Sequence, residues 1–296
     1  MQKQVKKAVI PAAGFGTRML PFTKAVPKEL IPLVDKPVIQ YVVEEAVSAG
    51  IEDILIIISS GKEAIIRHFN PAKELEERLQ SSGKYELLSE LQTLNKLARI
   101  HYVYQQELNG LGDAVRAAET FVGDEPFALL LGDTVMDSYT ERSVVGQLID
   151  ASNAAGGSSV VAVSVVPPEK ISSYGIIGGE KISPSLTRVT TMVEKPAPQD
   201  APGNLAVAAR YVFTPGIFAA LAETGRGVGG EVQLTDAMIK LLNNEPLFGC
   251  EISGKRFDLG SKAGFIAANL EFAMRDKKLA DALRGKLDEL LTEKND

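Results

Sequence analysis

Cysteine occurs once in the 296 residues and histidine only twice. A single thiol, Cys250, cannot close an internal disulfide, which fits a reducing, cytoplasmic compartment. No signal-peptide pattern opens the chain. With His68 expected at a helix end and His101 at a strand start, no Ser/His/Asp or Cys/His machinery can be assembled from these residues. Long apolar runs are missing too. The longest, residues 54–58, falls far short of the roughly 18 residues a membrane helix needs. Excess positive charge is also absent: 32 Lys and Arg stand against 38 Asp and Glu, a net charge of −6. Without a basic stripe, a nucleic-acid partner is not expected. What the chain does have is 45% apolar residues, enough for a large core without disulfides. Against the acidic background, any local cluster of Lys and Arg becomes worth examining.

Apolar runs and helical stripes alternate along the first half. Strands are expected at residues 5–11, 54–58, 100–104, 127–131 and 160–166. Helices are expected at 37–49, 63–69, 72–98 with a break near 81–83, 112–120 and 144–154. Residues 38, 41, 42, 45 and 46 form a mostly apolar stripe that includes Glu45, and Gly50 suits a C-cap. Repeated strand–helix–strand order predicts an α/β fold with an open, doubly wound, mixed and mostly parallel sheet, Rossmann-like, in which ligands bind beyond the carboxyl ends of the strands. Three features fall at such ends: the Gly14 loop, the loop at residues 105–112, and Asp133. Turn residues become dense from 167 to 215, reading as added strands and loops over the sheet. A helix at 232–242, a strand at 247–252 and a helical region at 263–291 follow. No repeats appear. The whole of 1–296 reads as one domain in three parts, 1–166, 167–262 and a C-terminal helical region (263–296).

The first strand runs into Ala12-Ala13-Gly14-Phe15-Gly16-Thr17-Arg18-Met19-Leu20-Pro21. Glycines at 14 and 16 let the backbone approach a phosphate and turn amide N–H groups toward it. Met19 stands where a dinucleotide fingerprint needs a third small residue, and no Lys-Ser or Lys-Thr pair follows as in a Walker A loop. A second glycine spacing, residues 249–256, lacks the magnesium-binding hydroxyl and a following helix, so it reads as a decoy. The first loop stands apart because Arg18, Lys24 and Lys28 follow it closely. A triphosphate with about four negative charges needs fixed cations like these as charge moves onto a leaving pyrophosphate. The bland alternative is a tight turn with solvated cations.

Residues 14–21, with Thr23-Lys24, Pro27-Lys28-Glu29-Leu30 and Asp35-Lys36-Pro37-Val38-Ile39-Gln40-Tyr41, resemble the signature of the sugar nucleotidyltransferases. They are most similar to the bacterial UTP–glucose-1-phosphate uridylyltransferases, and further matches recur to about Gly264. The resemblance implies that Ala12, Ala13, Gly14, Gly16 and Thr17 wrap the nucleotide, with Arg18 and Lys28 on its phosphates. It implies that Gln105 reads the base, whose two carbonyls and one N–H suit an amide, with Gly110 beside it. Gln106 and Glu107 receive no role. It makes Asp133 a metal ligand, a hard oxygen of the kind Mg²⁺ prefers, and Asp258 a second, although Leu259 replaces the family's usual cysteine. Asp137 reads as a turn or cap.

Val193-Glu194-Lys195-Pro196 matches the family's sugar-phosphate segment, making Glu194 the sugar ligand and Lys195 the phosphate ligand. Gly175, after Tyr174, is expected to face the sugar with its backbone, and Glu231 is expected to serve the sugar site. Arg210-Tyr211-Val212 follows the family pattern, but Ala209 stands where glycine is usual. The activity implied is direct, in-line transfer from UTP to glucose 1-phosphate with Mg²⁺, giving UDP-glucose and pyrophosphate. An ionised sugar phosphate needs no general base, so the scarcity of histidine is no obstacle. Alternatives are the same chemistry with dTTP or another sugar, a catalytically silent regulatory paralogue, or a plain dinucleotide-binding module. Family members imply a homo-oligomer, a dimer or tetramer. The apolar stripe Ile266, Leu270, Met274, Leu279 and Leu283 suits packing on the chain's own sheet or on a partner.

Overall fold

The computed structural model describes residues 3–292. Residues 1–2 and 293–296, which belong to the first and last of the expected parts, lie outside them. The chain begins with β1 (Lys7–Pro11), a small hairpin of β2 (Pro32–Leu33) and β3 (Lys36–Pro37), and α1 (Val38–Ser48). It continues with β4 (Asp53–Ile58), α2 (Glu63–Phe69), α3 (Lys73–Ser81), α4 (Tyr85–Leu94) and β5 (Arg99–Tyr104). Next come α5 (Leu111–Arg116), α6 (Glu119–Val122), β6 (Phe127–Leu130), β7 (Thr134–Ser138), α7 (Val144–Ala154) and β8 (Ser159–Val165). The second half contains β9 (Gly175–Ser183), β10 (Leu186–Glu194), β11 (Leu205–Phe213), α8 (Gly216–Glu223), α9 (Leu234–Leu241), β12 (Leu247–Glu251) and β13 (Gly254–Asp258). It closes with α10 (Lys262–Ala273) and α11 (Lys277–Thr292).

Strands β5, β4, β1 and β6 lie side by side and parallel. Their side chains alternate between two cores. Val9, Leu55 and Ile57 face α5, α8 and α9, while Ala8, Ile10, Ile54, Ile56 and Ile58 face α1, α2 and α7. Burial on both faces is why these strands read as continuous apolar runs. All four release their following loops at one edge, so the loops that start at Ala12, Ser59, Gln105 and Leu131 gather there.

The expectation of one open, mostly parallel sheet fails beyond β6. Strand β11 joins β6 antiparallel and then pairs with both β8 and β9. With β8–β12, β12–β10 and β10–β9 also paired, the five strands β8, β12, β10, β9 and β11 close into a ring. Only the β8–β12 pair in that ring is parallel. The turn-rich stretch from 167 to 215, expected as added strands and loops over the sheet, thus supplies three of the five strands of a closed barrel. Closure removes the exposed edges that an open sheet would leave.

Several expected helices are shorter or split. The helix expected at 72–98 is two, parted at residues 82–84, and 112–120 divides into α5 and α6. Helix α8 and strand β7 have no counterpart in the sequence reading. The long C-terminal helix breaks at residues 274–276, and the expected stripe loses its phase. Ile266, Leu270 and Leu279 remain 65%, 40% and 39% exposed, so that stripe does not pack on the chain's own sheet.

Candidate active site

The loop after β1 is fixed from below. The Ala12 amide donates to the Ile57 carbonyl at 2.7 Å, and the buried Ser59 hydroxyl donates to the Ala13 carbonyl at 2.7 Å. Ala12 and Ala13 are therefore buried, while Gly14 and Phe15 stand out of the fold. Gly16 adopts the left-handed conformation (φ 67°) that starts a short 3₁₀ turn at Thr17–Met19. A Cβ there would also lie 3.0 Å from the Lys28 stem, so glycine is needed for shape and for space. No α-helix opens behind the loop, and α1 begins only at Val38. Its charge comes from side chains instead of a helix dipole.

Lys28 crosses beneath the loop, and its ammonium lies 2.6 Å from Asp133 Oδ2. Burial lowers the Lys28 pKa, but Asp133 and Glu29 outweigh it and leave the group above its ordinary value. Burial likewise pushes Asp133 up, and Lys28 more than reverses this, holding the carboxyl below its usual range. Both groups are therefore charged at neutral pH. Next to them, Glu29 and Lys62 form a buried pair at 2.7 Å. Burial dominates both, raising the Glu29 pKa and lowering that of Lys62. Arg18 lies against Gly260, where a Cβ would come 2.6 Å from its guanidinium. Lys24, the third cation of the sequence cluster, is exposed and lines none of the cavities around Arg18 and Lys28.

Three cavities meet here. The first, about 490 Å³, is lined by Ala13, Gly14, Lys28, Gln105, Gly110 and Asp133, among others. The second, about 150 Å³, takes in Gly16, Thr17, Arg18, Lys28 and Asp133. The third, about 430 Å³, includes Arg18, Asp133, Gly175, Glu194, Lys195 and Asp258. Asp133 lines all three.

In the first cavity, the buried Gln105 amide donates to Asp113 Oδ2 at 3.0 Å, which sets its rotamer. Gly110 (φ 104°) has no room for a side chain: a Cβ would sit 2.7 Å from the Glu231 Cβ. Glu231, expected to serve the sugar site, lines the first cavity with Gln105 and Gly110, while Gln233, two residues on, lines the third.

In the third cavity, register does the positioning. Glu194, the last residue of β10, faces Gly175, the first of β9. Its Oε2 accepts from the Thr235 hydroxyl at 2.7 Å, and a Cβ on Gly175 would come within 3.0 Å of that same oxygen. Lys195 turns into a left-handed conformation (φ 46°), its amide bonded to the Tyr174 carbonyl at 3.0 Å, with its ammonium largely exposed. Arg256, inside the segment dismissed as a decoy, stacks 4.4 Å over the Tyr174 ring and lines this cavity. Asp258 pairs across the β7–β13 ladder with Thr134, the residue after Asp133, and lines the same cavity as Asp133. One Asp258 oxygen accepts from the Gly260 amide at 2.9 Å.

Sequence reasoning gave no role to Arg256, Thr235, Asp113 or the buried Glu45–Arg210 pair. The last had a readable signal, since Glu45 is the one charged residue on the apolar stripe of α1.

A family model described as Nucleotidyl transferase matches residues 7–275. A UTP–glucose-1-phosphate uridylyltransferase of Bacillus subtilis (strain 168) is 50% identical over 281 residues, covering 95% of each chain. Among solved structures, a UTP-bound UGPase from Acinetobacter baumannii aligns with a TM-score of 0.90 at 34% identity, covering 97% of this chain and 100% of that one. A UDP-glucose pyrophosphorylase complexed with UDP-glucose aligns at 0.83 and 38% identity, covering 92% and 100%.

Proposed function

The chain belongs to the nucleotidyl transferase family, and from that premise we propose that it transfers the uridylyl group of UTP to glucose 1-phosphate, giving UDP-glucose and pyrophosphate. The observation that carries this reading is Asp133, lining the base-side, loop-side and sugar-side cavities at once. Two substrates entering from opposite sides meet beside it.

Uracil is assigned to Gln105 and Gly110, and the phosphates to Ala12, Ala13, Gly14, Gly16 and Thr17. Glucose is assigned to Glu194 and the Gly175 backbone, and its phosphate to Lys195. A phosphate oxygen of glucose 1-phosphate attacks the α-phosphorus of UTP in line. The bond from that phosphorus to the bridging oxygen breaks, and its electron pair leaves with pyrophosphate. Since the nucleophile is already ionised, no residue takes a proton in this step. Arg18 and Lys28 lie where charge builds on the leaving group, and fixed cations there lower the barrier.

Asp133 and Asp258 would hold Mg²⁺. Both offer hard oxygens to one cavity, and no set of three His, Cys, Asp or Glu side chains gathers into a metal cage among the described residues. That donor set suits a cation that completes its shell with phosphates and water. When bound, the metal supplies Lewis-acid neutralisation of the phosphate oxygens.

We also read the chain as one working unit, because β11 pairs with both the parallel strands and the ring, and place it in the cytoplasm, because its single cysteine is free and buried and suits a reducing compartment. No helix among the described residues is long and apolar enough to cross a membrane. The exposed stripe on α10 supports a homo-oligomer, a dimer or tetramer. The test of function is to mix the folded protein with UTP, glucose 1-phosphate and Mg²⁺ and assay pyrophosphate. Release that depends on both substrates is expected, and release no faster than background would sink the reading. Parallel runs with dTTP and with other hexose 1-phosphates measure the specificity.

A further inference from the structure

Arg210, on β11, is fully buried, and its partner Glu45 on α1 is nearly so. Glu45 Oε2 accepts from Nη2 at 2.7 Å and from Nε at 2.9 Å, while its Oε1 accepts from the Val145 amide at 3.2 Å. Neutralising Glu45 uses only one side of the guanidinium. The remaining donors go to backbone carbonyls: Nη1 to Ala209 at 2.9 Å and Leu131 at 3.4 Å, and Nη2 to Thr134 at 2.8 Å. Leu131 and Thr134 flank the Gly132-Asp133 turn, so one planar group holds both of its ends.

The turn is tied at two further points. The Gly132 amide donates to the Pro11 carbonyl and the Leu131 amide to the Ala209 carbonyl, each at 3.3 Å. Ala209 itself sits at φ 58°, a left-handed conformation costly for a residue with a Cβ. That conformation turns its carbonyl toward both Arg210 and Leu131. Meanwhile Gly132 has backbone and side chains within 3.1–3.3 Å of where a Cβ would be. Asp133 therefore has little freedom except at its own side chain.

A buried ion pair is weak evidence for stability, since an apolar pair of similar volume often serves as well. The carbonyl bonds are what an apolar pair would lose. We propose that Arg210 is a positioning residue, which fixes the Asp133 turn so that the carboxylate points at Lys28 and into the cleft. This rests on the uridylyl-transfer reading only in taking Asp133 as the carboxylate at the reacting end. Every readout below is relative to the wild-type protein, so a wild type inactive in the pyrophosphate assay would count against that reading instead.

The test compares Glu45→Met/Arg210→Met, Glu45→Gln and Arg210→Lys. The double variant removes the charges and the clamp together. It should fold with a melting temperature within several degrees of wild type. Its kcat should fall about 100-fold, with KM for glucose 1-phosphate changed less than about threefold, because misplacing a reacting group costs rate more than ground-state binding. Calorimetric titration with UTP supplies a readout apart from turnover. Mg²⁺ over EDTA should tighten UTP binding to wild type, and that gain should shrink in the double variant. Glu45→Gln keeps the clamp, so it should lower the melting temperature while kcat stays within about threefold. Should the double variant not fold, Arg210→Lys decides, since an ammonium lacks the fork that spans both carbonyls and should cost kcat about tenfold or more. The inference is overturned by a folded double variant with wild-type kcat and Mg²⁺ dependence. It is overturned equally if Glu45→Gln loses as much kcat as the double variant, or if Arg210→Lys keeps full kcat.

Discussion

The two halves of the cleft reach similar precision by different means. On the nucleotide side, four parallel strands end at one edge and each releases a loop, so Ala12–Thr17, Gln105 and Asp133 arrive together as a consequence of topology. On the sugar side, a closed ring places Glu194 opposite Gly175 by register, and Thr235 holds the carboxylate from α9. In the first half, each key position lies in the loop directly after a parallel strand, where an apolar run in the sequence marks it. In the second, they are placed by the register of β9 on β10 and by a contact from α9. Strand order therefore locates the first set, whereas the second depends on pairing that no local pattern records.

Both halves share one residue, Asp133. Asp133→Ala should lower kcat by about 1,000-fold or more, read as pyrophosphate release, because it takes away a carboxylate at the reacting centre and leaves Lys28 without its counter-charge. If the two halves were separate sites, this variant would impair only one substrate's KM and spare kcat.

Next in size are paired glycine substitutions, one in each half. Gly110→Ala forces a Cβ to 2.7 Å from Glu231 at a φ of 104°, so UTP binding should weaken by about tenfold or more. Gly175→Ala brings a methyl to 3.0 Å from the Glu194 carboxylate, which should raise KM for glucose 1-phosphate about tenfold and leave the calorimetric affinity for UTP unchanged. Crossed effects, with Gly175→Ala weakening UTP, would merge the halves.

The smallest effect belongs to the opposite edge of the parallel strands. Asp53, at the start of β4, accepts two hydrogen bonds from Arg99, at the start of β5, and this bonding, helped by His101, lowers its pKa from 3.8 to about 2 against the opposing effect of burial. A carboxylate depressed in the folded state stabilises above its unfolded pKa, and the benefit disappears as pH falls through the folded value. Asp53→Asn should therefore cost roughly 1 kcal/mol or less at pH 7, after allowing for solvent screening. That cost should fade between pH 3.8 and about 2. Urea melts at several pH values would read it, and kcat and both KM values should not move.

Most of the parallel half was legible in the sequence, because doubly buried strands leave unbroken apolar runs and their loops carry the glycines and cations. Arg18 and Lys28 converge as their spacing suggested, while Lys24 points elsewhere, since adjacent 3₁₀ turns distribute side chains that the linear spacing groups together. Ring closure was not legible. It depends on β11 pairing on both of its edges through a bulge at Ala209, and no local period records that. The same bulge accounts for the glycine usual at this position, because φ 58° favours a residue without a Cβ. Arg256 was missed for a related reason: β13 becomes a strand only by pairing with β7, so its segment looked like a stray glycine loop. Glu231 packs against Gly110 on the first cavity, a contact across more than a hundred residues that the linear motif does not record.

Direct transfer requires a single displacement at Asp133 between two substrates bound together. Exchange of labelled pyrophosphate into UTP tests it most directly. With Mg²⁺ and UTP but no sugar phosphate, no label should enter UTP, and adding UDP-glucose should allow it, since the reverse reaction needs both partners. Label entering UTP without any sugar would reveal a covalent uridylyl–protein intermediate and contradict the direct transfer.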